Sequence, residues 1–225
     1  MMKTLLGVLK RHLRFIRTKE ERRHALVGPA DLWQMKRDFQ IQFLKAKDLK
    51  PEHYLLDIGC GTLRGGIPLI AYLQEGHYFG VEVRAQALEE GRKELQEAGL
   101  EGKRPTLLLS QDMSQLVIEQ KFDYIWAFSV LIHMSDEILN DTLAFVNRQL
   151  SDEGVFYANV NIGDHTEGRW RRAGLPTVTR TLEFYSNTCA KNGLAASDLG
   201  PLKEQGHDHD TKRSQSMLRI TRVGS

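Results

Sequence analysis

Tyr54-Leu55-Leu56-Asp57-Ile58-Gly59-Cys60-Gly61-Thr62-Leu63-Arg64-Gly65-Gly66 is the stretch around which the rest of the chain can be read. A short apolar run ends in an acid, a glycine-rich turn follows, and a helical pattern opens near Gly66. A strand that turns tightly into a helix is a nucleotide-binding device. Its glycines let a ligand approach the backbone, and the first helical turn offers unpaired N–H groups. The dinucleotide fingerprint G-x-G-x-x-G places its third glycine where this chain has Arg64. The order here is Asp57-x-Gly59-x-Gly61, with Gly65 and Gly66 behind. Taken alone, such a turn is equally well a plain strand-to-helix connection.

Downstream the pattern alternates. Apolar runs at 53–58, 77–83, 106–109, 122–128 and 154–160 read as strands. Helical patterns fall at about 65–74, 85–98, 136–150 and 181–192, with Ser135 as a cap and Gly193 at a C-terminal end. That alternation argues for a doubly wound α/β sheet. Upstream, residues 3–24 read as a basic amphipathic helix with Leu6, Leu9, Leu13 and Ile16 on one stripe. Such a helix lies on an anionic membrane surface, docks on a partner, or packs its stripe on its own domain. Val27-Gly28-Pro29 breaks it, Asp31 is positioned as a cap for a leader helix over 30–48, and Pro51 closes that leader.

The chain of 225 residues suffices for one domain with a sizeable core plus a small appendage. Net charge is +2, but residues 1–24 hold eight lysines and arginines against two glutamates, which leaves −4 on residues 25–225. The charge therefore describes a basic arm on an acidic core and argues against nucleic acid as partner. Two cysteines, Cys60 and Cys189, make neither a disulfide framework nor a metal set and fit a reducing, cytoplasmic setting. No apolar run approaches the ~18 residues of a membrane span, and no signal-peptide pattern opens the chain.

Three further features decide the reading. Glu82 ends the second strand, 21 residues after Gly61. Ser110-Gln111-Asp112-Met113 follows the third. The fourth opens the run Phe122-Asp123-Tyr124-Ile125-Trp126-Ala127-Phe128-Ser129-Val130-Leu131-Ile132-His133-Met134. In this order and spacing they resemble the class I methyltransferases that use S-adenosylmethionine (SAM), over roughly residues 53–160. The resemblance implies a seven-stranded, mostly parallel sheet with helices on both faces, closed by an antiparallel strand pair from 194–200 and 215–221, behind an N-terminal helical extension. It divides the chain into an arm (1–26) and a methyltransferase domain (27–225), with the leader helix, a cofactor half (53–134) and an acceptor-side half (135–225).

The resemblance also implies roles. Asp57, Gly59, Cys60, Gly61 and Arg64 would meet the cofactor at the turn, with Asp57 orienting the loop or meeting the methionine ammonium. Arg64 would take the methionine carboxylate or the acceptor. Glu82, with Val83 beside it, would accept from the ribose hydroxyls. Asp112 and Met113 would hold adenine, although Asp112 also suits a helix cap. Phe128 and Ser129 would border the transfer site. His133 is either catalytic or a structural histidine. Trp33 and Gln40 of the leader face the site or belong to the core.

The loop Asn161-Ile162-Gly163-Asp164-His165-Thr166-Glu167-Gly168-Arg169-Trp170-Arg171-Arg172 borders the acceptor pocket in such folds. Asp164 or His165 is a candidate base. Arg169, Arg171, Arg172 and Arg180 are candidates for an anionic acceptor, or scattered surface charge. His207-Asp208-His209-Asp210 reads as a solvated turn, and no metal is expected. The Asn/Asp-Pro-Pro-Tyr-type run of amine-methylating relatives is missing after the fourth strand. The expected function is therefore methyl transfer from SAM, leaving S-adenosylhomocysteine (SAH), to a small-molecule acceptor: an oxygen nucleophile of anionic or sugar type. The alternative is a SAM-binding regulatory or partner subunit without transferase activity. The expected location is cytoplasmic, with peripheral contact at the inner membrane face through residues 3–24.

Overall fold

The computed structural model describes residues 18–170, 175–208 and 215–224. Nine strands are named in chain order: β1 (Leu55–Ile58), β2 (Tyr78–Glu82), β3 (Thr106–Leu109), β4 (Phe122–Ala127), β5 (Leu150–Asn161), β6 (Thr166–Trp170), β7 (Leu175–Thr179), β8 (Leu194–Pro201) and β9 (Gln215–Arg222). Seven form one sheet in the order β3-β2-β1-β4-β5-β9-β8, and β6 and β7 pair as a separate hairpin. β1 pairs in parallel with β2 and β4, whereas β9 runs antiparallel to β5 and β8. Strand order reverses between β1 and β4. Their carboxyl ends therefore open a crevice, which is where ligands bind in sheets of this kind.

Alternation along the strands produces two cores. Leu55, Trp126, Tyr157 and Met217 face one side, with Phe39, Phe43, Leu69 and Ile70 packed over them. Leu56, Ile125, Phe156 and Leu218 face the other, under Leu139, Leu143, Phe145 and Val146. Strands buried on both faces must read as near-continuous apolar runs, and β1 is buried at every position. The covering helices are α2 (Trp33–Ala46), α3 (Gly66–Tyr72) and α4 (Ala85–Glu97) on the first face, and α5 (Asp136–Gln149) and α6 (Leu182–Lys191) on the second. Ser135 caps α5 by accepting from the Ile138 N–H.

Three expectations are corrected. The helix expected over 3–24 does not run through Thr18, whose backbone is extended. Thr18 instead starts a new helix, α1 (Lys19–Ala25), through a capping box with Glu21. The stripe at Leu6, Leu9, Leu13 and Ile16 lies outside the described residues. Asp31 sits in a 3-10 turn (Ala30–Leu32), and no side chain caps α2. The stretch read as a loop after 160 contains the β6–β7 hairpin, and β5 runs through to Asn161.

Part of the basic arm docks on the domain itself. Arg23, 4% exposed, reaches Glu90 (3.2 Å), Glu94 (3.2 Å) and Glu97 (2.6 Å) on α4. Among the described residues no helix is long and apolar enough to cross a membrane.

Candidate active site

The crevice at the ends of β1 and β4 is a cavity of about 1230 Å³. Besides Gln40 of α2, thirteen of the residues singled out from sequence line it: Asp57, Gly59, Cys60, Gly61, Arg64, Glu82, Val83, Asp112, Met113, Phe128, Ser129, His133 and Arg169. They arrive from the turns after β1, β2, β3 and β4 and from the hairpin.

The turn after β1 is held tightly. Gly59 and Gly61 take φ of +73° and +59°, and a side chain at either would strike Val130 (2.5 Å) or Val27 (2.7 Å). Leu63 also takes a left-handed φ of +60° and is fully buried, a conformation that costs roughly 1–2 kcal/mol outside glycine. Cys60 contributes backbone only: its sulfur packs towards Gly80 of β2, and burial raises its thiol pKa. Asp57 accepts from the Tyr78 hydroxyl (2.7 Å), and burial pushes its carboxyl up to about 7.

Glu82 is 3% exposed at the end of β2. Its Oε2 accepts from the Gly61 N–H (2.9 Å), and its Oε1 accepts from the Val83 and Arg84 N–H groups and from Arg84 Nε. A carboxylate offers about four lone-pair sites, so Oε2 retains acceptor capacity inside the cavity. Asp112, at the exposed edge, accepts from the Ser114 N–H and hydroxyl through Oδ1, which lowers its pKa. Met113 is buried beside it, and Val83 lines the wall as an exposed apolar side chain.

His133 ends a 3-10 turn (Leu131–His133), and its Nδ1 bonds the Pro176 carbonyl of β7. A carbonyl only accepts, so neutral His133 carries its proton on Nδ1 and its lone pair on Nε2. Burial, as the main cause, holds its pKa below the usual value.

Several expected residues stand elsewhere. Trp33 is buried but does not line the cavity; its ring stacks on His24 at 3.9 Å and ties α2 to α1. Asp164 and His165 are exposed and outside the cavity lining. Arg171 and Arg172 lie outside the described residues. Arg180 is 1% exposed and paired with Asp136 (2.6 Å), so it is spent on holding the hairpin strand to α5. His207 is buried rather than solvated, edge-on to Phe39 at 5.1 Å, because its loop turns back onto the core at Leu202. Among the described residues no group of three or more His, Cys, Asp or Glu side chains is placed to hold a metal.

Sequence reading passed over a buried amide chain. The Ser129 N–H donates to Asn159 Oδ1 (2.6 Å), Asn159 Nδ2 to Gln215 Oε1 (3.2 Å), Gln215 Nε2 to Asn161 Oδ1 (3.0 Å), and Asn161 Nδ2 to the Val178 carbonyl (3.0 Å). Both ends are backbone groups of fixed polarity, so every amide in between has one orientation. Asn161 and Gln215 line the cavity. The signal was the alternation Ala158-Asn159-Val160-Asn161, two polar residues on one face of an otherwise apolar strand. Lys36 of α2 also lines the cavity unpredicted.

Residues 56–156 match the family model described as "Methyltransferase domain". This stretch is similar to a methyltransferase domain and takes in a little under half of the chain. An uncharacterized protein of Rickettsia prowazekii (strain Madrid E) is 27% identical over 110 residues. The match takes in 48% of this chain and 42% of that protein, so it spans less than half of that relative's length. Among solved structures, a SAM-dependent methyltransferase from Clostridium acetobutylicum superposes with a TM-score of 0.65 at 16% identity, covering 85% of this chain and 92% of that one. The SAM-bound magnesium protoporphyrin IX methyltransferase of Synechocystis PCC 6803 gives 0.61 at 19%, covering 84% and 79%. The glycopeptide N-methyltransferase MtfA with SAH gives 0.64 at 13%, covering 84% and 89%. At these identities the likeness is one of fold.

The Synechocystis enzyme holds SAM in its solved structure, and the residues lining this cavity fit the same group. Glu82 keeps an open acceptor for a diol, Met113 and Val83 supply an apolar wall, and the glycine turn leaves its backbone uncovered by side chains of its own.

Proposed function

We propose that the protein transfers a methyl group from SAM to a small-molecule acceptor, an oxygen nucleophile carried by an anionic or sugar-type compound. The observation that carries this reading is the extent of the cavity. At about 1230 Å³ it exceeds the roughly 300–1,000 Å³ of an ordinary ligand pocket. It continues past the cofactor residues to His133, Asn161, Arg169, Thr177 and Gln215.

Bound SAM supplies a methyl group already activated by its sulfonium, so the protein's part is positioning and proton handling. Glu82 holds the ribose diol, Asp112 and Met113 border the adenine, and Ser129 marks the transfer point between the halves. His133, neutral at pH 7 with its lone pair on Nε2, takes the proton of the acceptor hydroxyl. Asn161 and Gln215 each keep a second amide N–H beyond the chain of bonds described above, and these orient the acceptor's oxygens. Arg169 draws an anionic acceptor to the mouth.

The test is calorimetry with SAM followed by methyl release over a panel of hydroxylated acids and sugars. Binding with turnover on a panel member is the expected result. Tight binding with no turnover supports a regulatory subunit. Stabilisation by NADH but not by SAM or SAH overturns the reading.

A further inference from the structure

A segment ahead of the first strand closes one end of the cavity, with Leu26, Val27, Gly28 and Pro29 in its lining. Val27 lies directly over the glycine turn. A side chain built on Gly61 would meet Val27 Cγ1 at 2.7 Å and Glu82 Oε2 at 3.9 Å. The covering residue and the ribose acid therefore flank the same point of backbone.

Three arginines hold the segment there. Arg23 of α1 reaches Glu90, Glu94 and Glu97 of α4. Just past α1, Arg84 Nη1 donates to the Leu26 carbonyl (2.9 Å) and Arg64 Nη1 donates to the Val27 carbonyl (2.8 Å). The end of a helix leaves carbonyls unpaired and attracts cations. Here the cations come from the turns after β2 and β1, so the segment is tied to the two turns that meet the cofactor.

Arg84 makes a second connection. Its Nε and its backbone N–H both donate to Glu82 Oε1 (3.1 and 2.9 Å), which turns Oε2 towards the Gly61 N–H and the cavity. One guanidinium thus spans from the ribose acid to the covering segment, through Nε on one side and Nη1 on the other. The planar fork of arginine makes both bonds at once, whereas the compact ammonium of lysine acts as a point charge.

We propose that residues 19–29 form a strap over the ribose end of the cofactor site, and that Arg84 is the positioning residue that joins the strap to Glu82. Seating of the strap and orientation of the ribose acid are then one event, and the cofactor leaves only when Arg23 releases α4 and Arg84 releases Leu26. The proposal rests on the SAM reading above. Its probes are SAH and 2′-deoxy-SAH, which lacks one ribose hydroxyl. Calorimetry gives the ratio of their affinities, and displacement of labelled SAH by excess unlabelled SAH gives the dissociation rate. Both are measured on wild type, Arg84→Met, Arg84→Lys and Arg23→Met.

Wild type should prefer SAH by about 10-fold or more, in line with a hydrogen bond to a charged group. Arg84→Met should bring that preference to within about threefold, because Glu82 loses the donor that orients it. Arg84→Lys keeps a donor for Glu82 and most of the preference, but it cannot also hold Leu26. It and Arg23→Met should therefore release SAH roughly 10-fold faster than wild type, since lost contacts of this kind appear mainly in the off-rate. A wild-type preference retained in Arg84→Met overturns the positioning role, even where both affinities fall together, as a general loosening of the fold would make them do. Release from Arg23→Met and Arg84→Lys at the wild-type rate overturns the strap. Should Arg84→Met fail to fold, the Arg84→Lys rate decides, and an unchanged rate overturns the joint. Equal binding of both probes by wild type overturns the joint while the SAM reading stands. Failure of wild type to bind either probe removes the SAM reading itself.

Discussion

On the cofactor side of the cavity, polar side chains are placed by short-range bonds. Glu82 reaches the N–H groups of residues one and two places on and that of Gly61, 21 positions away, and Asp57 meets Tyr78 across the same separation. On the acceptor side the bonds span far more chain: 30 residues from Ser129 to Asn159, 43 from His133 to Pro176 and 56 from Asn159 to Gln215. One half is therefore built mainly from successive strand–turn–helix units, with Val27 and Val130 packed over the first turn. The other exists only once β5, β7 and β9 have come together. Damage to the first should appear in cofactor affinity, and damage to the second in turnover or stability.

The largest separation of the two halves is expected at His133. His133→Gln should lower turnover on an accepted hydroxyl compound by about 10²–10⁴-fold, while SAH affinity measured by calorimetry stays within twofold. The wild-type pH profile carries the sign. The His133 pKa lies below 6.5, so the proton-accepting form predominates at pH 7 and is lost as pH falls through that lowered value. His133→Gln should lack this acid limb. The same shift makes the unfolded chain the stronger proton binder, so the His133 contribution to stability also declines as pH falls below 6.5. Equal loss of affinity and turnover would place His133 on the cofactor side and dissolve the comparison.

Glu82→Ala should act in the opposite column. Removing two charge-assisted hydrogen bonds, at about 1.5–3 kcal/mol each, predicts a loss of SAH affinity of roughly 100-fold or more. Isothermal calorimetry reads it directly, and an unchanged dissociation constant removes Glu82 from the ribose role. Asn159→Leu comes next. It preserves volume at the fully buried Asn159 but leaves the half-buried Ser129 N–H and Gln215 amide oxygen without those partners. The expected cost is about 2–4 kcal/mol, a drop in melting temperature of roughly 5–15 °C by calorimetric scanning. A variant as stable as wild type would mean that the amide chain is dispensable to the acceptor half.

The same contrast explains what could be read in advance. The parallel core, the glycine turn and the placement of Glu82, Met113 and Phe128 are written in local periodicity and short spacings, which a sequence shows directly. The amide chain is not, because Asn159 and Gln215 announce themselves only as polar residues in apolar strands, and their partnership depends on the β5–β9 register. Arg180 misled for the same reason: an arginine in an arginine-rich stretch looks like an anion receptor until α5 brings Asp136 to it. Arg23 counted only as one charge of a basic arm because its three acids lie 67–74 residues downstream. The hairpin was hidden because β6 and β7 pair outside the main sheet and leave most of β6 exposed, so no apolar alternation marks it.

The smallest expected effect tests where the acceptor half ends. Asp164 and His165 occupy the turn between β5 and β6, both exposed, with His165 Nε2 3.9 Å from Glu167. An exposed pair of that kind contributes at most a few tenths of a kcal/mol. Asp164→Ala and His165→Ala should therefore leave SAH affinity, melting temperature and turnover within about twofold or 1 °C of wild type. A tenfold loss of turnover in either, with affinity and stability intact, would show that the hairpin folds over the cavity during reaction. The acceptor half would then be completed by motion of β6 and β7, with residues beyond those now lining the cavity supplying the chemistry.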